Sequence, residues 1–170
     1  MEFTDVIKNR YSCKKYSDRA VKGDRLEAIL EAGRVAPTAK NLQEQHVYVL
    51  QSADALEKFD GLTPCRYGAP TVLLVAFDSE NVYTYPGSER TSGVEDASIV
   101  ATHMILAAAN EGVDFCWINR FSPEEAVKAF GLPANEVVLC AIDLGYAAEG
   151  AGPLPNHSSR KELAQTVTRL

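Results

Sequence analysis

One tryptophan, two methionines and three histidines are all that 170 residues hold of those types. What else is missing narrows the function further. Three histidines and four widely spaced cysteines (Cys13, Cys65, Cys116, Cys140), with no CxxC pair, do not give the ligand spacing of a zinc site. Such thiols fit reduced cysteines in a cytoplasmic protein. No apolar run reaches the length that spans a bilayer. The start, Met1-Glu2-Phe3-Thr4-Asp5, lacks a basic stretch followed by an apolar one, so no signal peptide is expected. Positive charge is scarce: 17 Lys and Arg against 23 Asp and Glu give a net charge of −6. That balance argues against nucleic acid and against an anionic membrane as partners. Neither GxGxxG after a strand nor GxxxxGK[ST] occurs, so a Rossmann dinucleotide site and a P-loop are unsupported.

What is present is material for a normal core. Hydrophobic residues make up 46% of the chain, and a chain of this length buries roughly 70% of its extended surface. One domain over residues 1–170 is expected. The pattern predicts a short helix over Glu2–Asn9, then a helix with Asp24 as N-cap and Leu26, Ile29, Leu30 and Gly33 at helical spacing. Pro37 ends that helix. His46–Leu50 reads as a strand and Ala53–Phe59 as a short helix. Thr71–Phe77 is continuously apolar, as a central strand covered on both faces should be.

Tyr83–Gly93 reads as an irregular excursion, either a lid or an ordinary long loop. Val94–Asn110 is the longest helix, with Ile99, Val100, Met104, Ala107 and Ala108 on its apolar side and Gly112 just past its end. His103, within it, reads as a core or interface histidine rather than a catalytic one. Phe115–Ile118 is a strand. Ser122-Pro123-Glu124-Glu125 is a helix start with its cap, N1 proline and N3 glutamate in place. Val137–Leu144 is the last strand, and an amphipathic segment (Leu163, Val167) closes the chain. This order of elements gives an α+β class, with helices packed on a mostly antiparallel or mixed sheet.

Two basic clusters run against the acidic whole. The first is Arg10-Tyr11-Ser12-Cys13-Lys14-Lys15-Tyr16. In an extended chain alternate side chains face one way, so Arg10, Ser12 and Lys14 would converge as donors for an anion. The same residues would also serve as a solvated helix end, where cations suit the dipole. The second cluster is His157-Ser158-Ser159-Arg160-Lys161. Between them, the polar loop Pro37-Thr38-Ala39-Lys40-Asn41-Leu42-Gln43 suits either ligand contact or a plain surface connection.

The succession of Arg10-x-Ser12-x-Lys14-x-Tyr16, Ala36-Pro37-Thr38-Ala39-x-Asn41-x-Gln43, Gly68-Ala69-Pro70, Cys116-Trp117-Ile118, Gly131-Leu132-Pro133, Leu144-Gly145-Tyr146 and Arg160-Lys161-x-Leu163 resembles the nitroreductase family of FMN-dependent oxidoreductases, at the short end of its size range. The resemblance implies a three-layer fold with a central, mainly antiparallel sheet flanked by helices. It implies a homodimer with FMN at the interface. Arg10 and Ser12 would hold the phosphate and ribityl end of FMN, Lys14 would approach the pyrimidine edge, Arg160 with Lys161 would complete the phosphate site, and Tyr11 is a further cofactor contact. Pro37, Thr38, Ala39 and Asn41 would contact FMN from the partner subunit, and Gln43 is a further cofactor contact. Trp117, Ile118, Asn119 and Arg120 would pass near the ring, with a backbone N–H reaching N5. Tyr67, Phe121 and Arg120 are candidates for the substrate side, as are Tyr83 and Tyr85.

The implied activity is reduction of small electron-poor acceptors, nitroaromatic or quinone in type, by NAD(P)H through a ping-pong hydride mechanism. No catalytic side chain is expected, because flavin N5 carries the hydride. A flavin-binding carrier or sensor without rapid turnover, and divergent flavin chemistry on the same fold, are the alternatives. Three positions depart from the family pattern: Glu44 follows Gln43 where proline is common, Asn119-Arg120 replaces a Gly or Glu-Gly loop, and Ser158 stands where some members have a second cation.

Overall fold

The structure is a computed structural model and describes residues 2–170. Four strands, β1 (Gln45–Leu50), β2 (Thr71–Asp78), β3 (Asp114–Ile118) and β4 (Glu136–Gly145), form one sheet in the order β1-β2-β4-β3. All three pairings are antiparallel. The register of β2 against β4 shifts between Val75 and Ala76, so the pairing passes from Val75–Cys140 to Ala76–Val138 and leaves Leu139 over as a bulge.

The apolar run of β2 is covered on both faces, as its composition requires. On one face Leu73, Val75, Ile142 and Leu144 meet α2 (Gly23–Arg34) and α4 (Gly93–Asn110) through Leu26, Ile29, Val100 and Met104. On the other, Val72, Leu74 and Ala141 meet α3 (Ala53–Leu62) and α5 (Pro123–Phe130) through Phe59 and Ala126. The result is the expected α+β arrangement of helix, sheet and helix layers. The short α1 (Phe3–Asn9) lies against α4.

Local signals decided several boundaries. Ser122 Oγ accepts the Glu125 N–H at 3.2 Å, and Gly131 takes a left-handed φ of 62° at the end of α5. Asp24, expected as the cap of α2, lies inside the helix; Lys22 is the N-cap and gives no side-chain hydrogen bond. The acidic side chain still suits the first turn of the helix dipole. Ile99 is 37% exposed rather than core, because α4 turns that side away from the sheet. The final segment forms only a 3₁₀ turn at Leu163–Gln165, and residues 162–170 are all exposed; with no surface beneath it, its apolar side cannot stabilise a helix. The excursion before α4 is pinned by a Thr84–Thr91 bridge and by Tyr85 packed edge-on to Tyr83 at 5.4 Å.

Candidate active site

β3 is an edge strand, and what covers its outer edge builds the site. Ser12 bridges Phe115 in parallel, and the Cys13 N–H donates to the Phe115 carbonyl at 2.8 Å. Cys13 is thereby fully buried while Ser12 and Lys14 stay exposed, which is the alternation of an extended segment. Past Phe115 the strand runs into a cleft of about 580 Å³. Trp117, Ile118, Asn119 and Arg120 line it from β3 and its exit loop. Ser12 and Lys14 line it from the basic stretch, Cys65 and Tyr67 from the turn before β2, and Leu154, Asn156, His157 and Arg160 from the C-terminal tail.

The N-terminal wall is fixed by close packing. A Cβ on Gly145 would meet Tyr16 Cδ1 and Pro70 Cδ at 2.8 Å, so the strand end can approach that wall only as glycine. Tyr67 adopts φ 53° after the 64–66 turn, and its carbonyl accepts the Tyr16 N–H at 3.2 Å. The Lys14 ammonium stands 5.9 Å from the Tyr67 ring centroid. Trp117 Nε1 donates to Asn119 Oδ1 at 2.8 Å, which fixes the indole.

The electrostatics are one-sided. Lys14, Arg120 and Arg160 line the cleft, and no carboxylate does. Arg160 folds back to donate to the His157 and Ser159 carbonyls of its own tail. At the floor, the hydrogen bond from Tyr67 lowers the Cys65 thiol pKa, helped by Thr63 and by the charges of Arg120 and Lys14. The same contact raises the Tyr67 hydroxyl to about 12. Burial raises Cys116 to about 12. Asp143 stands directly across the β3–β4 pair from Cys116 and is fully buried with both carboxyl oxygens unpartnered. Burial pushes it up to about 9, against the partial pull of Arg66, so at neutral pH this carboxyl is uncharged and does not offset the cations above it.

Of the residues singled out in the sequence, the cleft brings together Ser12, Lys14, Tyr67, Trp117, Ile118, Asn119, Arg120 and Arg160. Arg10 and Tyr11 line a separate depression of about 160 Å³ beside α1. Arg10 is the C-cap of α1, and it lines that depression rather than the cleft. Lys161 is exposed and off the cleft wall. Phe121 packs edge-on to Phe59 at 5.9 Å. Tyr83 and Tyr85 carry Lys40 and Arg90 over their rings and do not line the cleft. The 37–43 loop lies against the start of α4, where the Ala39 N–H donates to Asp96 Oδ1 at 3.0 Å; it too is outside this chain's cleft. Cys65, Leu154 and Asn156 were not foreseen as lining residues; the turn signals around Pro64 and Pro155 marked loops, with nothing in them to say which loops would meet.

A three-layer α+β protein with a basic cleft at the edge of its sheet is the class that fold and site define. The nitroreductase family model matches residues 7–63 and 60–146. A protein of Methanothermobacter thermautotrophicus, provisionally named NADH dehydrogenase/NAD(P)H nitroreductase, is 31% identical over 161 residues, covering 89% of this chain and 81% of that one. A crystal structure of a nitroreductase family protein from Clostridium difficile superposes with a TM-score of 0.92 at 32% identity, over 99% of this chain and 98% of that one. A provisionally named nitroreductase from Desulfovibrio desulfuricans, solved in complex with FMN, superposes with a TM-score of 0.82 at 26% identity, over 100% of this chain and 97% of that one. This chain belongs to the nitroreductase family.

Proposed function

We propose that this chain is an FMN-dependent oxidoreductase that draws electrons from NAD(P)H and passes them to small electron-poor acceptors of nitroaromatic or quinone type. One observation carries the reading: in a chain of net charge −6, the large cleft at the sheet edge is lined by three cations and no carboxylate. Its volume falls within the ~300–1,000 Å³ of ligand sites. The names of the relatives and the FMN complex of one neighbour support the same cofactor and donor.

The residues fit FMN in chemistry. Arg160 would pair with the phosphate dianion, whose geometry a guanidinium matches, with Ser12 toward the ribityl end. Lys14 would place positive charge by the pyrimidine edge and so stabilise the reduced state. Trp117, Ile118, Asn119 and Arg120 would border the ring, where an edge strand offers unpaired backbone donors. Arg10 and Lys161 are proposed for the phosphate on the family pattern alone, and Tyr11 beside it on the same ground. Tyr67, Arg120 and Phe121 are proposed for the acceptor side. When bound, FMN supplies hydride acceptance from NAD(P)H and its return to the acceptor in a ping-pong cycle.

Pro37, Thr38, Ala39, Asn41 and Gln43 are proposed to act from a second copy, in a homodimer. Exposed apolar residues on α1 (Phe3, Ile7), on α4 (Val94, Ile99) and in the tail (Leu163, Val167) support such an interface. The chain is read as a single domain. Four free thiols suit the cytoplasm, and no helix among the described residues is long and apolar enough to cross a membrane.

The deciding experiment is a visible spectrum of the purified protein followed by anaerobic NADH or NADPH. Twin flavin bands that bleach are expected. Bands that persist would favour a flavin carrier, and no bands after incubation with FMN would end the reading.

A further inference from the structure

Away from the cleft, two carboxyl groups are buried together with no role assigned to them. Glu44, between the 37–43 loop and β1, is 3% exposed, and Asp96, in the first turn of α4, is 4% exposed. The two lie within hydrogen-bond reach of each other. Ionised carboxylates offer only acceptors, and at this range their charges repel. Ser92 Oγ donates to Glu44 Oε1 at 3.4 Å, and the Ala39 N–H donates to Asp96 Oδ1 at 3.0 Å. Glu44 Oε2 and Asp96 Oδ2 have no hydrogen-bond donor. One proton on the pair supplies the donor that both lack.

What the pair holds is a strained loop. Lys40, Asn41 and Gln43 have φ of 53°, 55° and 54°, the left-handed region that non-glycine residues occupy only when their surroundings impose it. The other side-chain hydrogen bonds of the loop, from the Gln43 N–H to Thr38 Oγ1, from Gln43 Nε2 to the Asn41 carbonyl and from Asn81 Nδ2 to the Leu42 carbonyl, are exposed. The Ala39–Asp96 bond is the tie that reaches α4.

We propose that Glu44 and Asp96 share one proton and form a latch that holds the 38–43 loop in its left-handed conformation against the start of α4, and that loss of this proton loosens the loop. Both are positioning residues. The consequence for FMN rests on the reading above, in which this loop completes a second copy's site: cofactor retention then falls as the latch opens. The latch itself is a property of this chain alone.

Burial, and then contact with Asp96, raise Glu44 from 4.5 to about 7. A raised carboxyl pKa makes the folded loop bind the proton more tightly than the loosened one. The stabilisation is therefore fully present below about 4.5 and is lost as pH rises through about 7. Other charges nearby are engaged elsewhere. Glu95, next on α4, meets Tyr85 and Arg90. Lys40 lies 4.7 Å from the Tyr83 ring centroid. Asp78, whose N–H donates to the Glu44 carbonyl, gives its carboxylate to the Glu80 N–H and to Asn135.

The test is an NMR titration of the full chain from pH 5 to 9, following the Glu44 carboxyl carbon and the Ala39 amide, with FMN affinity measured in parallel. We expect one shared midpoint near pH 7, and an FMN dissociation constant that rises up to about tenfold between pH 6 and 8, the limit for one linked proton. Glu44→Gln, whose amide donates at every pH, should hold the Ala39 amide constant and remove that extra pH dependence, leaving only what FMN's own phosphate contributes. Asp96→Asn, which offers Glu44 a neutral donor, should lower the Glu44 midpoint. A Glu44 carboxyl titrating in the ordinary range, or an Ala39 amide that stays still while Glu44 titrates, overturns the latch. An FMN affinity that ignores an intact latch overturns the coupling. A chain that binds no FMN at any pH ends the flavin reading, and the titration still decides the latch.

Discussion

Under α2 and α4 the sheet presents Leu73, Val75, Ile142 and Leu144, all fully buried, with no carboxyl group among them. Under α3 and α5 the matching layer of Val72, Leu74 and Ala141 is interrupted by Asp143, with Cys116 across from it and Cys65 nearby. The first face keeps carboxyl groups out of its strands. The other gives up apolar area where it approaches the cleft. Buried polar groups are costly unless partnered, so the unpartnered Asp143 carboxyl beneath the cleft marks a place where stability has been exchanged for chemistry. Glu44 and Asp96 make the same exchange at the start of α4, but as a pair that one proton satisfies.

The largest expected effect tests this contrast directly. Asp143 is held neutral, its pKa raised from 3.8 to about 9. Its contribution to stability is intact below about 3.8 and is lost as pH rises toward 9, at up to ~1.4 kcal/mol per pH unit. Asp143→Asn should leave stability near pH 4 unchanged and exceed the wild type by several kcal/mol at pH 8.5, read from urea midpoints at the two pH values. Parallel pH courses for both proteins would mean that the face tolerates an ionised carboxylate, and the contrast would go.

Next come the two cores. Phe59→Ala and Ile29→Ala each remove a fully buried side chain, one from each face. Losses of ~3–5 and ~2–5 kcal/mol respectively are expected in denaturant melts. A loss below ~1 kcal/mol at Phe59 would show that the α3/α5 layer is only loosely attached.

The cleft ranks third. Arg160→Ala should raise the FMN dissociation constant about 10–100-fold, the worth of ~1.4–2.8 kcal/mol for a charge-assisted contact. Lys14→Ala should lower the flavin potential more than it lowers affinity; an unmoved potential would shift that role to another residue. The smallest effects come from two packed glycines. A Cβ on Gly93 would sit 2.2 Å from the Phe77 ring, and Gly93→Ala should cost ~1–3 kcal/mol. At Gly33 the obstacle is the Met104 side chain, at 2.8 Å. Its thioether can move, so Gly33→Ala should cost less, and thermal melts of the two variants would order them.

Much of the frame was legible in the residues. Thr71–Phe77 announced a doubly covered strand, and Ser122-Pro123 announced the start of α5, because apolar runs and caps act over a few neighbouring positions. The site was legible only in part. Ser12 and Lys14 line the cleft, in keeping with the alternation, whereas Arg10, the C-cap of α1, lines a separate depression. His157 and Arg160 stood out by composition, whereas Cys65 and Asn156 carry no local mark. The last segment looked amphipathic yet found nothing to pack on.

The sequence by itself determined the α+β class, the absence of metal-ligand and nucleotide-loop motifs, and the family, because these depend on residue types and their spacing. It also supplied Glu44 as a departure from the family pattern. Only the tertiary structure decided which charged groups lost their water. Asp143 is neutral because of what closes over it, Glu44 is raised because α4 brings Asp96 against it, and the cleft is basic because three distant segments meet there. Solvation depends on neighbours that chain order does not name.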